Sequence, residues 1–274
     1  MQLKEWSVQF RQKALSKLQS PEELDLPVRF AHPQGRLVLA VTVVVMAAAC
    51  FWAVTGTVSS KLSVPGILTR PEGSYVLQTP LSGQVTAVLA SEGQQLPAGA
   101  PLLNVRTEQG ERPVRVVTAG RLTTLVAKVG SVVATGADVA TVERVKAPQD
   151  PLVAVLYVPG DSGPAIPVGA PVDLGVQSVP QQRFGMLRGR VKAVGRAPQT
   201  QAQISGFLAD AGLAEQFSRQ GSPVAVLVQL DPSSTPSGYR WTSEDGPPYA
   251  VESRTPVTGS VHLSAQRPVD WLLP

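Results

Sequence analysis

Few side chains in this sequence could do chemistry, and their spacing limits what that chemistry could be. Gly160-Asp161-Ser162-Gly163 is a string that surrounds the nucleophilic serine of some proteolytic enzymes. Such a serine needs a histidine base within hydrogen-bond reach and a third group to orient it. The chain has two histidines, His32 and His262, and neither stands where that order of residues would place a base. A tight turn between two strands accounts better for the string. The single cysteine, Cys50, excludes an internal disulfide and a cysteine-rich zinc site. His262 and the carboxylates show no metal-ligand spacing, and no Gly-rich phosphate loop of the Walker type occurs. Lys+Arg total 24 against 20 Asp+Glu, a net charge of +4 that is too mild to argue for nucleic acid. Arg188, Arg190 and Lys192 alternate on one face of a strand. They form either a solvated face or a contact for anionic headgroups or an acidic partner surface. No catalytic, metal or cofactor site is expected.

The framework available to hold these residues is mainly β. Glycine (24) and proline (25) interrupt most of the 274 residues, and aromatics are 5%. The exception is Leu37–Val54, LVLAVTVVVMAAACFWAV, where only Thr42 is polar. No charge occurs from Leu37 through Ser60. A membrane-crossing helix needs ~20 apolar residues, and Trp52 suits an interfacial position. With 36 residues before it, the run does not fit a cleaved signal peptide. Ala47-Ala48-Ala49 precede Cys50, but Phe51 and Trp52 follow it, so Cys50 reads as a small hydrophobe rather than a lipidation site. Six cations lie before the span (Lys4, Arg11, Lys13, Lys17, Arg29, Arg36), and Lys61 and Arg70 follow it. This predicts a single-pass plasma (inner) membrane protein with a cytoplasmic N-terminus and an extracytoplasmic remainder. Within the tail, Trp6, Phe10, Ala14 and Leu18 recur every fourth residue. That spacing predicts an amphipathic helix on the inner leaflet, or a docking helix for a cytoplasmic partner, with Trp6 and Phe10 as contacts.

Beyond the span the chain repeats itself without a gap. PLSGQVTAVLASEGQQLPAGAPLLNVRT (80–107) aligns with VTAGRLTTLVAKVGSVVATGADVATVER (117–144) at an offset of 37. Gly83, Gly93 and Gly99 fall on Gly120, Gly130 and Gly136, and five apolar positions coincide as well. Each copy reads as three short strands joined by glycine turns. Neither is large enough to bury a core alone, so two interlocked copies are expected to form a flattened β-sandwich.

This pattern resembles the biotinyl/lipoyl half-motif. Carrier domains of that kind present a modifiable lysine at the turn between halves. Here the connection is Thr107-Glu108-Gln109-Gly110-Glu111-Arg112, and no lysine occurs from Val105 to Ala127. Lys128 lies inside the second copy. The order of anchor, split lipoyl-like module and barrel resembles the haemolysin D-like family of membrane-fusion or adaptor proteins. Gly185-Met186-Leu187-Arg188-Gly189-Arg190-Val191 is similar to an adaptor barrel strand. Thr255-Pro256-Val257-Thr258-Gly259-Ser260-Val261, then Gln266-Arg267-Pro268, is similar to the closing strand and tail. Phe10-Arg11-Gln12-Lys13-Ala14-Leu15 and Ser20-Pro21-Glu22-Glu23-Leu24-Asp25 resemble a subgroup that accompanies exporters of peptides with nitrile-hydratase-like leaders. The resemblance implies an ABC-type peptide exporter, with a peptidase domain, as partner. It also implies an exported bacteriocin-type peptide, membrane lipid and further copies of the chain in a homo-oligomeric ring, with no reaction in this chain. Many such adaptors carry a long coiled-coil hairpin between the lipoyl halves. The residues from Glu108 to Val116 leave no room for one.

Leu152–Val158 and Val224–Leu230 are apolar on both faces and read as central strands. Val172–Val176, Leu187–Val194 and Val257–Leu263 complete an expected barrel. Ser205–Ser218 has helical spacing and is expected to plug or cover one barrel end. Asp231–Pro248 reads as an extended loop, solvated or partner-binding. The expected divisions are a tail (1–36), a span (37–58), a membrane-proximal linker or strand (59–74), a lipoyl-like barrel-sandwich hybrid (75–147) and a β-barrel with one short helix (148–274). Mass spectrometry of the intact chain is expected to show neither lipoate nor biotin on any lysine. An adduct of either kind would assign carrier chemistry instead.

Overall fold

The computed structural model describes residues 33–55, 60–145 and 150–263. Trp6, Phe10, His32 and the tail motif at 266–268 lie outside these described residues. The chain divides into two units. In the first, α1 (Pro33–Thr55) is long and apolar enough to cross a membrane, with apolar side chains exposed all round. A helix apolar on every face is matched to lipid or to a protein interior, not to water. Its hydroxyls are satisfied within the helix: Thr42 donates to the Val38 carbonyl at 2.8 Å and Thr55 to the Phe51 carbonyl at 2.7 Å.

The second unit is a body of β-strands. Its sandwich contains β2 (Ser74–Gln78), β3 (Gly83–Val88), β4 (Gln95–Leu96) and β5 (Pro101–Thr107). These are followed by β6 (Gly110–Arg115), β7 (Gly120–Leu125), β8 (Val132–Val133) and β9 (Asp138–Arg144). One sheet has the order β2-β9-β7-β4 and the other β6-β5-β3-β8. The bounds of β3, β4 and β5 recur 37 residues later as β7, β8 and β9. The short middle strand of each copy leaves its own copy. Leu96 of β4 pairs with Gly120, and Val133 of β8 pairs with Gly83. The symmetry begins earlier than the sequence likeness does, because β2 against β9 repeats as β6 against β5. Leu77 opposite Ala140 corresponds to Val114 opposite Leu103. Equivalent apolar positions of the two copies then meet in one core, which includes Val85 with Leu122, Leu102 with Val139 and Val105 with Val142.

The barrel closes in the order β1-β10-β13-β12-β11-β14. Its strands are β1 (Lys61–Thr69), β10 (Val153–Val158), β11 (Pro171–Val176), β12 (Leu187–Val194), β13 (Val224–Leu230) and β14 (Pro256–His262). The closing strand β1 comes from the stretch read as a membrane-proximal linker or strand. It pairs with β14 through Leu62 and Val261 and with β10 through Leu68 and Ala154. The sandwich is therefore an insertion between the first two barrel strands. Leu68, Leu156, Leu174, Val191, Val228 and Val261 fill the barrel interior.

The helical segment differs from expectation in number and place. It forms α2 (Gln201–Leu208) and α3 (Ala211–Ser218), separated at Ala209, which is left-handed with φ +53°. A capping box starts α2: Gln203 donates its backbone N–H to Thr200 Oγ1 at 3.3 Å, and the Thr200 N–H donates to Gln203 Oε1 at 2.8 Å. Asp210 Oδ1 caps α3 by accepting from Leu213 N at 3.0 Å. The pair lies on the outer barrel wall rather than over an end, covering Ile67, Val155 and Tyr157 with Ile204, Leu208, Ala214 and Phe217. This explains why β10 is apolar on both faces: Ala154, Leu156 and Val158 point inward, while Val155 and Tyr157 meet the helices.

The Tyr157 ring stacks on Phe217 with centroids 4.6 Å apart, and its buried hydroxyl has no hydrogen-bond partner among the described residues. Burial pushes the phenol's pKa up. Stability from its neutral state is complete below an unfolded phenol's pKa of ~10 and is lost as pH rises through the folded value.

Asp231–Pro248 is exposed along much of its length but is anchored in the barrel at Trp241 and Tyr239. Trp241 joins the barrel core and donates Nε1–H to Ser237 Oγ at 2.8 Å, while the Tyr239 hydroxyl accepts from Leu152 N at 3.0 Å. The segment rather than the helices fills the barrel beside the first residue of β12, where Leu187 bridges to Trp241.

A Cβ at Gly83 would collide with the Arg106 carbonyl, and one at Gly120 would collide with the Glu143 carbonyl, the symmetric position. Ala at either site is expected to lower unfolding free energy by a similar amount, about 1–3 kcal/mol. Urea denaturation that showed very unequal losses would refute structural equivalence of the two copies.

Candidate functional site

Three places inherit the chemistry suggested by the sequence. The first is the hairpin between the copies. Thr107 pairs with Gly110, so β5 and β6 are joined by a turn of only Glu108 and Gln109. Thr107 Oγ1 accepts from Gln109 N at 3.2 Å and donates to the Gly110 carbonyl at 2.9 Å, which closes the turn on itself. Most of the connection that the sequence left between the copies is strand β6. Neither a lysine nor an inserted helix occupies this tip. Lys128 sits in the turn before β8, with its N–H donating to Ser131 Oγ at 3.1 Å, and the equivalent turn of the first copy begins at Ser91. The six glycines are architectural: Gly83 and Gly120 start paired strands, while Gly93, Gly99, Gly130 and Gly136 occupy turns with positive φ.

The second place is the Gly160–Gly163 turn. Ser162 Oγ donates to Asp161 Oδ1 at 3.1 Å. His262 instead lies on β14, with Nε2 2.7 Å from Asp173 Oδ2 on β11. The structure brings no histidine to Ser162 among the described residues. Cys50 is exposed on α1.

The third place is the outer face of β12. Arg188, Arg190 and Lys192 are exposed, but the strand does not treat them alike. Arg188 stands opposite Asp173, and Arg190 stands opposite Pro171 with its Nε 3.7 Å from Asp231 Oδ1. Lys192 occupies a bulge between Val191 and Ala193. A shallow cleft of about 250 Å³ runs between these arginines, Arg240, Asp173 and His262. Period-two spacing in the sequence predicts a shared face but carries no signal for the bulge.

Sequence reasoning missed the joint between sandwich and barrel. Glu143, at the end of β9, has a wholly buried side chain. Its Oε2 accepts from Ser253 Oγ at 2.9 Å and lies 4.0 Å from Arg70 Nε. Arg70 in turn donates to the Asp150 carbonyl. Arg144 donates to the carbonyls of Glu72 and Ser74, both at 3.2 Å, and lies over the Tyr75 ring. Arg254 reaches Asp210 at 3.0 Å and ties the segment before β14 to the helix pair. An isolated acidic residue on a strand gives no sign that it will be buried against chain more than a hundred residues away.

No family model and no curated protein sequence matches the chain. Solved structures do. ZneB from Cupriavidus metallidurans is 11% identical, with the match covering 76% of this chain and 100% of that one at a TM-score of 0.50. MacA from Actinobacillus actinomycetemcomitans is 8% identical over 78% of this chain and 81% of that one, at a TM-score of 0.49. The membrane fusion protein Spr0693 from Streptococcus pneumoniae R6 is 10% identical over 74% and 99%, at a TM-score of 0.41. At such identity the first likeness shows the fold alone. That fold is mainly β, and in this chain it comprises an eight-stranded sandwich and a six-stranded barrel, with an apolar helix ahead of them in the sequence.

Removing Glu143 leaves Arg70 facing a buried vacancy. Glu143→Ala is expected to destabilise the β body by on the order of 3 kcal/mol. Replacing Arg70 and Glu143 together by leucine is expected to cost less than the single change, and calorimetric unfolding of the three proteins checks the order.

Proposed function

We propose that this protein is a membrane-anchored adaptor of the membrane fusion type, acting beside a transporter and catalysing no reaction. One observation carries the reading. A lipoyl-like sandwich interrupts a closed barrel after its first strand, and its exposed hairpin tip is Glu108-Gln109 where a carrier domain would hold its lysine. The sandwich keeps the carrier architecture without an attachment point, which suits a scaffold.

In this reading α1 lies in the plasma (inner) membrane within a span of 37–58. The 1–36 tail is cytoplasmic, and the segments at 59–74, 75–147 and 148–274 are extracytoplasmic. The excess of Lys and Arg before the span supports that orientation. Copies of the chain assemble into a ring beside the transporter's exit. The transporter is an ABC-type exporter with a peptidase domain, and its cargo is a bacteriocin-type peptide. The resemblance of the segments at 10–15 and 20–25 to that subgroup supports this choice. Free energy comes from the partner's nucleotide hydrolysis. The two-residue tip supports action close to the membrane that holds the anchor, because no coiled coil extends from it.

Affinity purification of the tagged full chain from detergent-solubilised membranes is expected to recover an ATP-hydrolysing exporter with a peptidase domain. Recovery of a transporter of another class would overturn the peptide assignment. Recovery of no transporter would overturn the adaptor reading.

A further inference from the structure

The two ends of the barrel carry different charge. One end holds the start of β1 and the finish of β14, where Lys61 pairs with His262. Pro171 and Arg190 continue the same row, because Val172 pairs with Val261 and Pro171 with Arg190. Lys192 and Arg196 follow along the chain. Gly195, next to Arg196, donates its N–H to the Ala225 carbonyl near the start of β13. Arg219 shares a cleft with Leu62, Ser63 and Pro159 at the same end. Lys61, Lys192, Arg196 and Arg219 are exposed, and their side chains make no hydrogen bond or ion pair among the described residues. The acidic groups near this end are Asp173, engaged by His262, Asp161, which accepts from Ser162, and Glu215, exposed one helical turn before Arg219. Carboxylates gather at the opposite end, where β1 runs into the sandwich: Asp150, Asp210, Asp231, Glu244 and Glu252. There they are interspersed with Arg70, Arg188 and Arg254; Arg254 is paired with Asp210, and Asp231 is paired with Arg190, which is therefore not one of the free cations.

The free cations are on the end from which the chain leads back to α1. Lys61 follows Thr55, the last residue of α1, by six positions. An extended chain of that length reaches at most about 20 Å. A helix that spans the hydrocarbon ends at the headgroup layer. Anionic headgroups attract basic side chains that come within about one Debye length, ~8–10 Å in physiological salt.

We propose that this barrel end is an electrostatic foot that rests on anionic phospholipid headgroups through Lys61, Lys192, Arg196 and Arg219. Lys192 is the unpaired residue of the bulge between Val191 and Ala193. Arg188 stands one row nearer the sandwich, opposite Asp173, and takes no part. The inference rests on the anchor reading alone and needs no transporter.

The full chain is reconstituted in nanodiscs of phosphatidylcholine alone or mixed with phosphatidylglycerol, and amide hydrogen exchange is followed by mass spectrometry. Peptides covering 60–66 and 190–199 are expected to exchange severalfold more slowly in the mixed bilayer. That protection should disappear in raised salt and in Lys192→Glu/Arg196→Glu. Peptides covering 101–115 in the sandwich should be unchanged throughout, which shows that the variant is folded. Equal exchange in the two bilayers, or protection that survives both salt and charge reversal, overturns the foot. Failure of the chain to enter nanodiscs overturns the anchor reading as well.

Discussion

The β body is built around an exchange of short strands. Neither copy of the repeat can cover its own apolar face, so each lends its middle strand to the other. The exchange forces Gly83 and Gly120 against the carbonyls of Arg106 and Glu143, where no side chain fits. It also leaves the copies linked by a hairpin whose two-residue tip, Glu108-Gln109, lies outside the core. That tip can be two residues long, can be extended or can carry a prosthetic group without disturbing the sandwich. In this chain the tip is Glu108-Gln109 and nothing more.

The barrel adds a second closure. Because β1 is hydrogen-bonded to both β10 and β14, the sandwich leaves and rejoins the barrel at neighbouring strands. The joint there is polar: Glu143 accepts from Ser253 and lies 4.0 Å from Arg70. A buried charge network of this kind tolerates little change in geometry, because losing one partner exposes the desolvation penalty of the other. The sandwich is thus tied to the barrel in part by a buried, directed ion pair and hydrogen bond.

Much of this was legible in the residues. The repeat, its register and its six glycines follow from spacing alone, because turns with positive φ and close backbone approach select glycine wherever they occur. The two wholly apolar strands were equally plain. Their reason was not: periodicity shows that both faces of Val153–Val158 are covered, but not that helices cover the outer one. The Pro, Ser and Gly around Trp241 predict an extended loop, solvated or partner-binding. A single buried tryptophan outweighs that composition by filling the barrel.

Residue type at short range settles the membrane-length helix and the doubled β unit, so both could be read before any folding was known. Only the folded chain shows that β1 belongs to the barrel, that the helix pair lies on its wall, that Glu143 is buried and that free cations collect at one end. Those outcomes depend on which distant segments pair, and a strand's residues record that it is covered without recording by what.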